Sequence, residues 1–123
     1  MNLNTVLNKE LEIIKKNHLP FKLQELSNNI ETIKFFHFKY ESNRTDEIYI
    51  FHIHFTENYP VEMPQIFLVS PNIPFNPKFH LSKNRFSCIS QVKIMKNSWN
   101  SDRNILDIWN SLRDWVSHYE KFS

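Results

Sequence analysis

The segment EIYIFHIHF, residues 47–55, is the most informative part of the sequence about the fold, because large apolar side chains recur in it at every second position. These side chains are Tyr49, Phe51, Ile53 and Phe55. A period of two places them on one face of a pleated strand, which is then the buried face. The opposite face carries Ile48, Ile50, His52 and His54. We therefore predict a β-strand over residues 47–55 with one face in the core.

Neighbouring segments extend this strand into an antiparallel meander. Residues 32–40 show the same alternation, and the polar residues 42–46 between the two strands are typical of a hairpin loop. A shorter strand is expected over residues 21–26, and a fourth over residues 65–69, after a proline-bounded turn at 59–64. The sequence thus predicts a four-stranded antiparallel sheet.

Apolar residues at helical spacing lie on both sides of the meander. Residues 4–17 predict a first amphipathic helix, which ends at His18-Leu19-Pro20. Residues 104–119 predict a second helix, with Ser101 or Asp102 as its N-terminal cap. The apolar stripe of this second helix consists of Ile105, Trp109, Leu112, Val116 and Tyr119.

The segment between the last strand and the second helix contains three prolines within residues 70–87. Proline lacks a backbone donor and fixes φ, so we expect an irregular surface segment there. The order of helix, meander, irregular segment and helix predicts a single α+β domain over residues 1–123. A composition of 41% hydrophobic and 23% charged residues is typical of such a globular domain.

Composition excludes several functional classes. The chain has no glycine, which removes every glycine-rich nucleotide-binding loop, and its net charge of +2 is too balanced for a nucleic-acid binder. No apolar run approaches the length of a membrane helix, and the N-terminal residues lack the features of a signal peptide. The single cysteine excludes a disulfide framework and is compatible with a reducing compartment. We therefore expect a cytoplasmic protein that binds neither nucleic acid nor membrane.

Three short motifs occur in a specific order along the chain: Tyr59-Pro60-Val61-Glu62-Met63-Pro64, then Cys88-Ile89-Ser90, then Trp99-Asn100-Ser101. This combination resembles the ubiquitin-conjugating enzymes, whose corresponding motifs are Tyr-Pro-x-x-Pro-Pro, Cys-Leu-Ser and Trp-Ser-Pro. Met63 departs from that pattern. The resemblance implies the UBC-like fold, with an N-terminal helix, a four-stranded antiparallel meander, an active-site loop and a crossover helix. The C-terminal helices of longer members are absent from the sequence, which is similar to short bacterial members found beside activating enzymes, some in anti-phage operons.

The resemblance implies that Cys88 is a catalytic nucleophile. It would accept the C-terminus of a ubiquitin-like modifier from an activating enzyme as a thioester, and then transfer it to a nucleophile on a protein target without a cofactor. A thiol with a pKa of about 8.5 suits this role, since it attacks as a thiolate and also leaves readily. A lone cysteine is also often a buried core residue, so the residues alone leave both interpretations open.

His80 is the second candidate catalytic residue. The family usually carries His-Pro-Asn shortly before the cysteine, whereas this chain has Lys78-Phe79-His80, with His80 eight residues before Cys88. The resemblance implies that His80 takes the place of the family asparagine, stabilising an oxyanion or moving a proton. Asn76 is the alternative replacement, and a loop histidine that only binds backbone is the other interpretation of His80.

Partner-binding residues are expected at three places on the surface. Lys9, Lys15 and Lys16 form a solvated side of the first helix, which the resemblance makes a docking site for the activating enzyme. Val61 occurs where the first ligase-contacting loop of the family lies, and Asn100 and Ser101 occur where the second one lies. None of the last three is the residue usual in the family.

A more distant alternative, an unrelated cysteine hydrolase, would need a histidine–carboxylate pair at the thiol, and the sequence shows no recognisable pair of this kind. Two other functions remain open at this point. The first is a catalytically inactive interaction module of the same fold, which the missing His-Pro-Asn triplet favours and the presence of Cys88 disfavours. The second is a metal site, since His52 and His54 share a strand face and we expect His37 on the paired strand to lie across from them. With no carboxylate or thiol partner evident, we expect a half-exposed sheet surface there and no metal.

Overall fold

The computed structural model describes residues 3–27, 29–30, 32–83, 89–95 and 98–123. Within these residues the chain forms two α-helices, one short 3₁₀ helix and six strands. Their bounds in chain order are α1 (Leu3–Asn17), β1 (Phe21–Ser27), β2 (Thr32–Glu41), β3 (Ile48–His54), β4 (Gln65–Ser70), the 3₁₀ helix (Pro77–Phe79), β5 (Leu81–Lys83), β6 (Ser90–Val92) and α2 (Ile105–Phe122).

The strands form one antiparallel sheet in the order β1-β2-β3-β4-β6-β5. The first four are the predicted meander, and each lies within two residues of its predicted bounds. The predicted sheet was too small, however, because β5 and β6 add two strands. Each of these has three residues, and the cross-strand pair Leu81 and Val92 is buried, so they extend the core face of the sheet.

The core lies between one face of the sheet and the two helices. The predicted alternation in β2 and β3 is confirmed, since Phe36, Phe38, Phe51 and Ile53 are each 0% exposed. Apolar residues of α2 cover this face, among them Leu112, and burying each such side chain contributes about 1.5–3 kcal/mol. Among the described residues we find no helix with the length and hydrophobicity needed to span a membrane.

Asn104 caps α2, so the prediction of Ser101 or Asp102 as the cap was wrong. The Asn104 side-chain oxygen accepts a hydrogen bond from the backbone N–H of Leu106 at 2.9 Å. Asp107 accepts in return from the backbone N–H of Asn104 at 2.9 Å, which completes a capping box. Asp102 belongs instead to a turn in which its N–H donates to the Asn100 side chain.

Two glutamates anchor α2 at its ends. Glu10 of α1 is 5% exposed, and its carboxylate accepts from the Tyr59 hydroxyl and, at 2.9 Å, from the backbone N–H of Ile105. Glu120, in the last turn of α2, accepts from three hydroxyls in and beside the β2–β3 connection: Ser42 and Thr45, both at 2.6 Å, and Tyr49 at 3.0 Å. Both ends of α2 are therefore tied by charge-assisted hydrogen bonds.

Candidate functional site

Cys88 lies outside the described residues, together with the four residues before it. The described chain ends at Lys83, the last residue of β5, and resumes at Ile89, one residue before β6. The predicted exposure of the Cys88 thiol, and its role as a nucleophile, therefore stay predictions. The described residues on both sides of this segment define the candidate site.

His80 follows the 3₁₀ helix and has a left-handed backbone, with φ of 57° and ψ of 30°. Its N–H donates to the Pro77 carbonyl at 3.1 Å, and its carbonyl accepts from the Lys93 N–H at 2.8 Å. These bonds fix the backbone of His80 between the 3₁₀ helix and the residue that follows β6. In a chain without glycine, this left-handed position is taken by a residue type that is enriched there.

The exposed side chain of His80 lines an open cavity of about 300 Å³ beside α2. The cavity combines two imidazoles, one carboxylate and two hydroxyls with an apolar floor. Its lining residues are His80, Ile94, Met95, Ser98, Ser111, Asp114, Trp115 and His118. The arrangement brings hydrogen-bond donors and a potential proton acceptor together at the end of the sheet that carries β5 and β6.

Asp114 and His118 line the cavity but were not predicted from the sequence. They are one helical turn apart on α2, so they project from the same side of the helix. That spacing was the only signal in the sequence, and it also fits an ordinary solvated helix face. Only the fold shows that this side of α2 meets His80.

A buried tryptophan sets the position of His80 relative to α2. Trp115, next to Asp114 in sequence, donates from its indole N–H to the carbonyl of Phe79 at 2.6 Å. The Phe79 ring packs against Tyr119 of the same helix with ring centres 5.0 Å apart. The residue before His80 is therefore bound to α2 by both a hydrogen bond and aromatic packing.

Asn76, the alternative to His80, has a different environment. Its side-chain oxygen accepts from the Lys78 N–H at 3.1 Å, and so caps the 3₁₀ helix. Its backbone pairs with that of Leu81 in both directions. Asn76 lines a separate groove with Phe75 and Phe122, whereas the cavity beside α2 is lined by His80. Of the two candidates, His80 is the one whose side chain is available to that cavity.

Two motifs separated along the chain meet at Trp99. The Trp99 indole N–H donates to the carbonyl of Pro60 at 2.8 Å, and its ring lies 5.9 Å from that of Tyr59. Tyr59 is buried and donates its hydroxyl to Glu10. Hydrogen bonds thus join three parts of the chain: the turn over residues 59–64 (the tyrosine–proline turn), the residues before α2, and α1.

Comparison of the chain with protein-family models, with curated proteins and with solved structures finds no match.

All six predicted partner-binding residues lie at the surface. Lys9, Lys15 and Lys16 are exposed on α1, and Asn100 and Ser101 are exposed before α2. Val61 is 76% exposed and lines a surface cavity of about 480 Å³ in the tyrosine–proline turn. Because Trp99 is bonded to Pro60, the loop of Val61 and the loop of Asn100 are neighbours. Docking of an activating enzyme or a ligase at these places stays a prediction.

The three histidines of β2 and β3 lie on the outer face of the sheet, as expected for a half-exposed surface. His37 and His52 are cross-strand partners, and their ring nitrogens Nδ1 and Nε2 are 3.1 Å apart. The His54 ring instead stacks on Phe35, with ring centres 5.0 Å apart. In the part of the chain that is described, no group of three or more His, Cys, Asp or Glu residues is arranged to hold a metal ion.

Proposed function

We propose that this protein is a ubiquitin-like-protein conjugating enzyme that works through a thioester on Cys88. It accepts the C-terminus of a modifier from an activating enzyme and transfers it to a nucleophile on a target protein. Its setting is a bacterial conjugation system of the kind found in anti-phage operons, where it acts in the cytoplasm. The supporting observation is that His80, which directly precedes β5, lines an open polar cavity, while Cys88 belongs to the connection between β5 and β6.

The architecture also supports this proposal. The resemblance to ubiquitin-conjugating enzymes implies an N-terminal helix, an antiparallel meander and a crossover helix. An N-terminal helix, an antiparallel sheet and a second helix occur here in that order, which is compatible with the proposal. The contact of Trp99 with the tyrosine–proline turn joins two of the motifs on which the resemblance rests.

The first chemical step is a thioester exchange. The Cys88 thiolate attacks the carbonyl carbon of the thioester held by the activating enzyme, and a new carbon–sulfur bond forms. The bond to the thiol of the activating enzyme breaks, and that sulfur leaves with the electron pair. The two thioesters are chemically equivalent, so the step needs neither a cofactor nor a strong base.

In the second step an amine of the target attacks the thioester on Cys88. A tetrahedral oxyanion forms, and the His80 side chain donates a hydrogen bond to it. The carbon–sulfur bond then breaks, Cys88 leaves as a thiolate, and the amine gives up a proton as the amide forms. Asp114 and His118, in the same cavity as His80, are the candidate proton acceptors. Holding the acceptor beside the thioester supplies much of the acceleration through high effective molarity.

The test uses a chemical probe, so that it does not depend on the identity of the modifier. The protein is mixed at neutral pH with a short peptide that ends in glycine and is activated as its mercaptoethanesulfonate thioester. Intact mass is expected to show one peptide adduct, which dithiothreitol removes and which Cys88→Ala does not form. The adduct should also form faster than with a free cysteine peptide of the sequence around Cys88. An adduct that persists in Cys88→Ala would overturn the assignment of the nucleophile.

The role of His80 is tested by discharge of the purified adduct to free lysine. His80→Ala should slow discharge by about 10²-fold, the usual loss for one oxyanion donor, whereas His80→Asn should retain most of the rate. His18→Ala is the matched control, because His18 is also exposed and left-handed, with φ of 53°. Equal effects of His18→Ala and His80→Ala would reduce His80 to a structural residue. No adduct on the native protein, with probe or with a modifier, its activating enzyme and ATP, would favour the non-catalytic interaction module.

A further inference from the structure

The pairing of His37 with His52 is a feature that the proposed conjugation chemistry does not use. The two residues are directly opposite each other on adjacent antiparallel strands, and Nδ1 of His37 is 3.1 Å from Nε2 of His52. Both strands are central in the sheet, with β1 and β4 outside them. The two imidazoles are therefore held together by a rigid scaffold at a half-exposed surface.

The contact is a hydrogen bond between the two rings, and its length also equals the separation of two nitrogens that bind one metal ion. Two nitrogens that each lie about 2.0–2.1 Å from one ion, at square-planar to tetrahedral angles, are about 2.9–3.4 Å apart. For both rings to bind one ion, this hydrogen bond must break and both lone pairs must point toward the ion. The imidazole nitrogen is also the protein ligand that Cu²⁺, Ni²⁺ and Zn²⁺ share.

We propose that His37 and His52 form a two-histidine binding site for a divalent transition-metal ion on the outer face of the sheet, with water completing the coordination. The metal site considered from the sequence included His52 and His54 on one strand with His37 across from them, and the structure narrows that set to His37 and His52. The strand register decides the pair, since it joins His52 to His37, while His54 stacks on Phe35.

Two lysines and one phenylalanine lie next to the histidine pair. Lys22 of β1 is directly opposite His37, and Lys39 is two residues along β2, so both could face a bound cation. Both side chains are exposed and can turn toward solvent. On the other side, Phe67 of β4 is opposite His52 and supplies an apolar wall. With no carboxylate in register, the site selects ions by their preference for imidazole, which favours Cu²⁺ over Ca²⁺ or Mg²⁺.

The test titrates Cu²⁺ alone into the Cys88→Ala protein, so that the thiol neither binds nor reduces the probe. Electron paramagnetic resonance is expected to show one Cu²⁺ per chain with two nitrogen ligands. His37→Gln and His52→Gln should each lower the affinity by more than about 10-fold, which is a typical loss even for residues that only support a metal ligand. His18→Gln and His118→Gln are the matched controls and should leave the affinity unchanged.

Several results would overturn this site. A spectrum with one nitrogen or none in the Cys88→Ala protein refutes it without further substitutions. If the Cu²⁺ affinity falls with His118→Gln and not with His37→Gln, the ion binds in the cavity beside α2 and the proposal is wrong. Circular dichroism and the thermal midpoint without metal show whether each variant is folded, and a folded His37→Gln that binds as well as its parent also refutes the proposal.

Discussion

The buried carboxylate of Glu10 offers the sharpest test of what holds α2 in place. Its two oxygens accept from the Tyr59 hydroxyl and from the backbone N–H of Ile105, the first residue of α2. Glu10→Ala removes both acceptors while the donors stay inside the protein. Glu10→Gln keeps the shape and the acceptor for Ile105, but the amide nitrogen cannot accept from the Tyr59 hydroxyl.

The magnitude follows from the number of donors left without a partner. Each buried donor that loses its acceptor costs about 1–3 kcal/mol, so Glu10→Ala should lower the free energy of unfolding by about 2–6 kcal/mol. Glu10→Gln keeps the acceptor for Ile105 but leaves the buried Tyr59 hydroxyl without one, which costs about 1–3 kcal/mol. It also loses the charge beside the helix N-terminus, which is worth about 0.3–1 kcal/mol, and relief of the buried charge offsets part of this loss. We therefore expect the stability of Glu10→Gln to lie between those of Glu10→Ala and the native protein.

The assay is urea unfolding followed by tryptophan fluorescence. Glu12→Ala is the matched control, because Glu12 is exposed on the same helix, and it should change stability by no more than about 0.5 kcal/mol. A loss of less than about 1 kcal/mol for Glu10→Ala, or a loss equal to that of Glu12→Ala, would refute the interpretation that Glu10 anchors α2.

Glu10 also gives the unfolding free energy a characteristic pH dependence. Burial raises the pKa of Glu10 above its usual value, although its hydrogen bonds to Tyr59 and Ile105 oppose the shift. The folded state then holds its proton to higher pH than the unfolded state does. This contribution to stability is present below the unfolded pKa and is lost as the pH rises through the folded pKa. The native protein should therefore gain stability relative to Glu10→Gln between pH 7 and pH 4, and a constant difference would contradict this sign.

Three further substitutions probe other contacts. Burial opposes ionisation of Glu120, but hydrogen bonds from three hydroxyls outweigh it and hold the pKa of Glu120 below its usual value. Glu120→Gln should therefore destabilise the protein at pH 7 and have less effect as the pH falls below 4. A larger effect at acid pH would contradict this. Leu112→Ala, at a position that is 0% exposed, should cost about 2–5 kcal/mol in thermal or urea unfolding, against almost nothing for the exposed Ser117→Ala. Trp99→Phe should lower the free energy of unfolding by about 1 kcal/mol more than Trp109→Phe does. Trp99 loses its hydrogen bond to the Pro60 carbonyl, whereas the Trp109 indole N–H has no hydrogen-bond partner within the described residues. Equal costs would show that the bond to Pro60 adds nothing.

Elements with a strong period were predictable from the sequence. The strand expected over residues 47–55 is Ile48–His54, and the first helix, expected over residues 4–17, is Leu3–Asn17. Their side chains alternate, or recur every three to four residues, over enough positions to define a buried face. Strands β5 and β6 have three residues each, which is too short for a period to show. They exist because Leu81 and Val92 pair on the core face, which is a tertiary effect.

The candidate site was predictable only in part, for a related reason. His80 could be singled out by its spacing from Cys88, but Asp114 and His118 join it through the packing of α2. The His37–His52 pair depends on register. A shift of one residue between β2 and β3 would move every side chain of one strand to the other face, and the 42–46 loop that sets the register has no diagnostic turn sequence.

The anchors of α2 matter for the proposed chemistry because the cavity is built from two separate elements. Asp114 and His118 belong to α2, whereas His80 belongs to the segment that leads into β5. Side chains on different elements keep a fixed geometry only if the elements are tied to each other. The bond from Trp115 to the Phe79 carbonyl joins them directly, and Glu120 fixes the following turn of α2 to the β2–β3 connection. An error of about 1 Å in the position of a reacting group can cost about 10²-fold in rate. On the proposed function, these hydrogen bonds of α2 are therefore as necessary for transfer as the side chains that line the cavity.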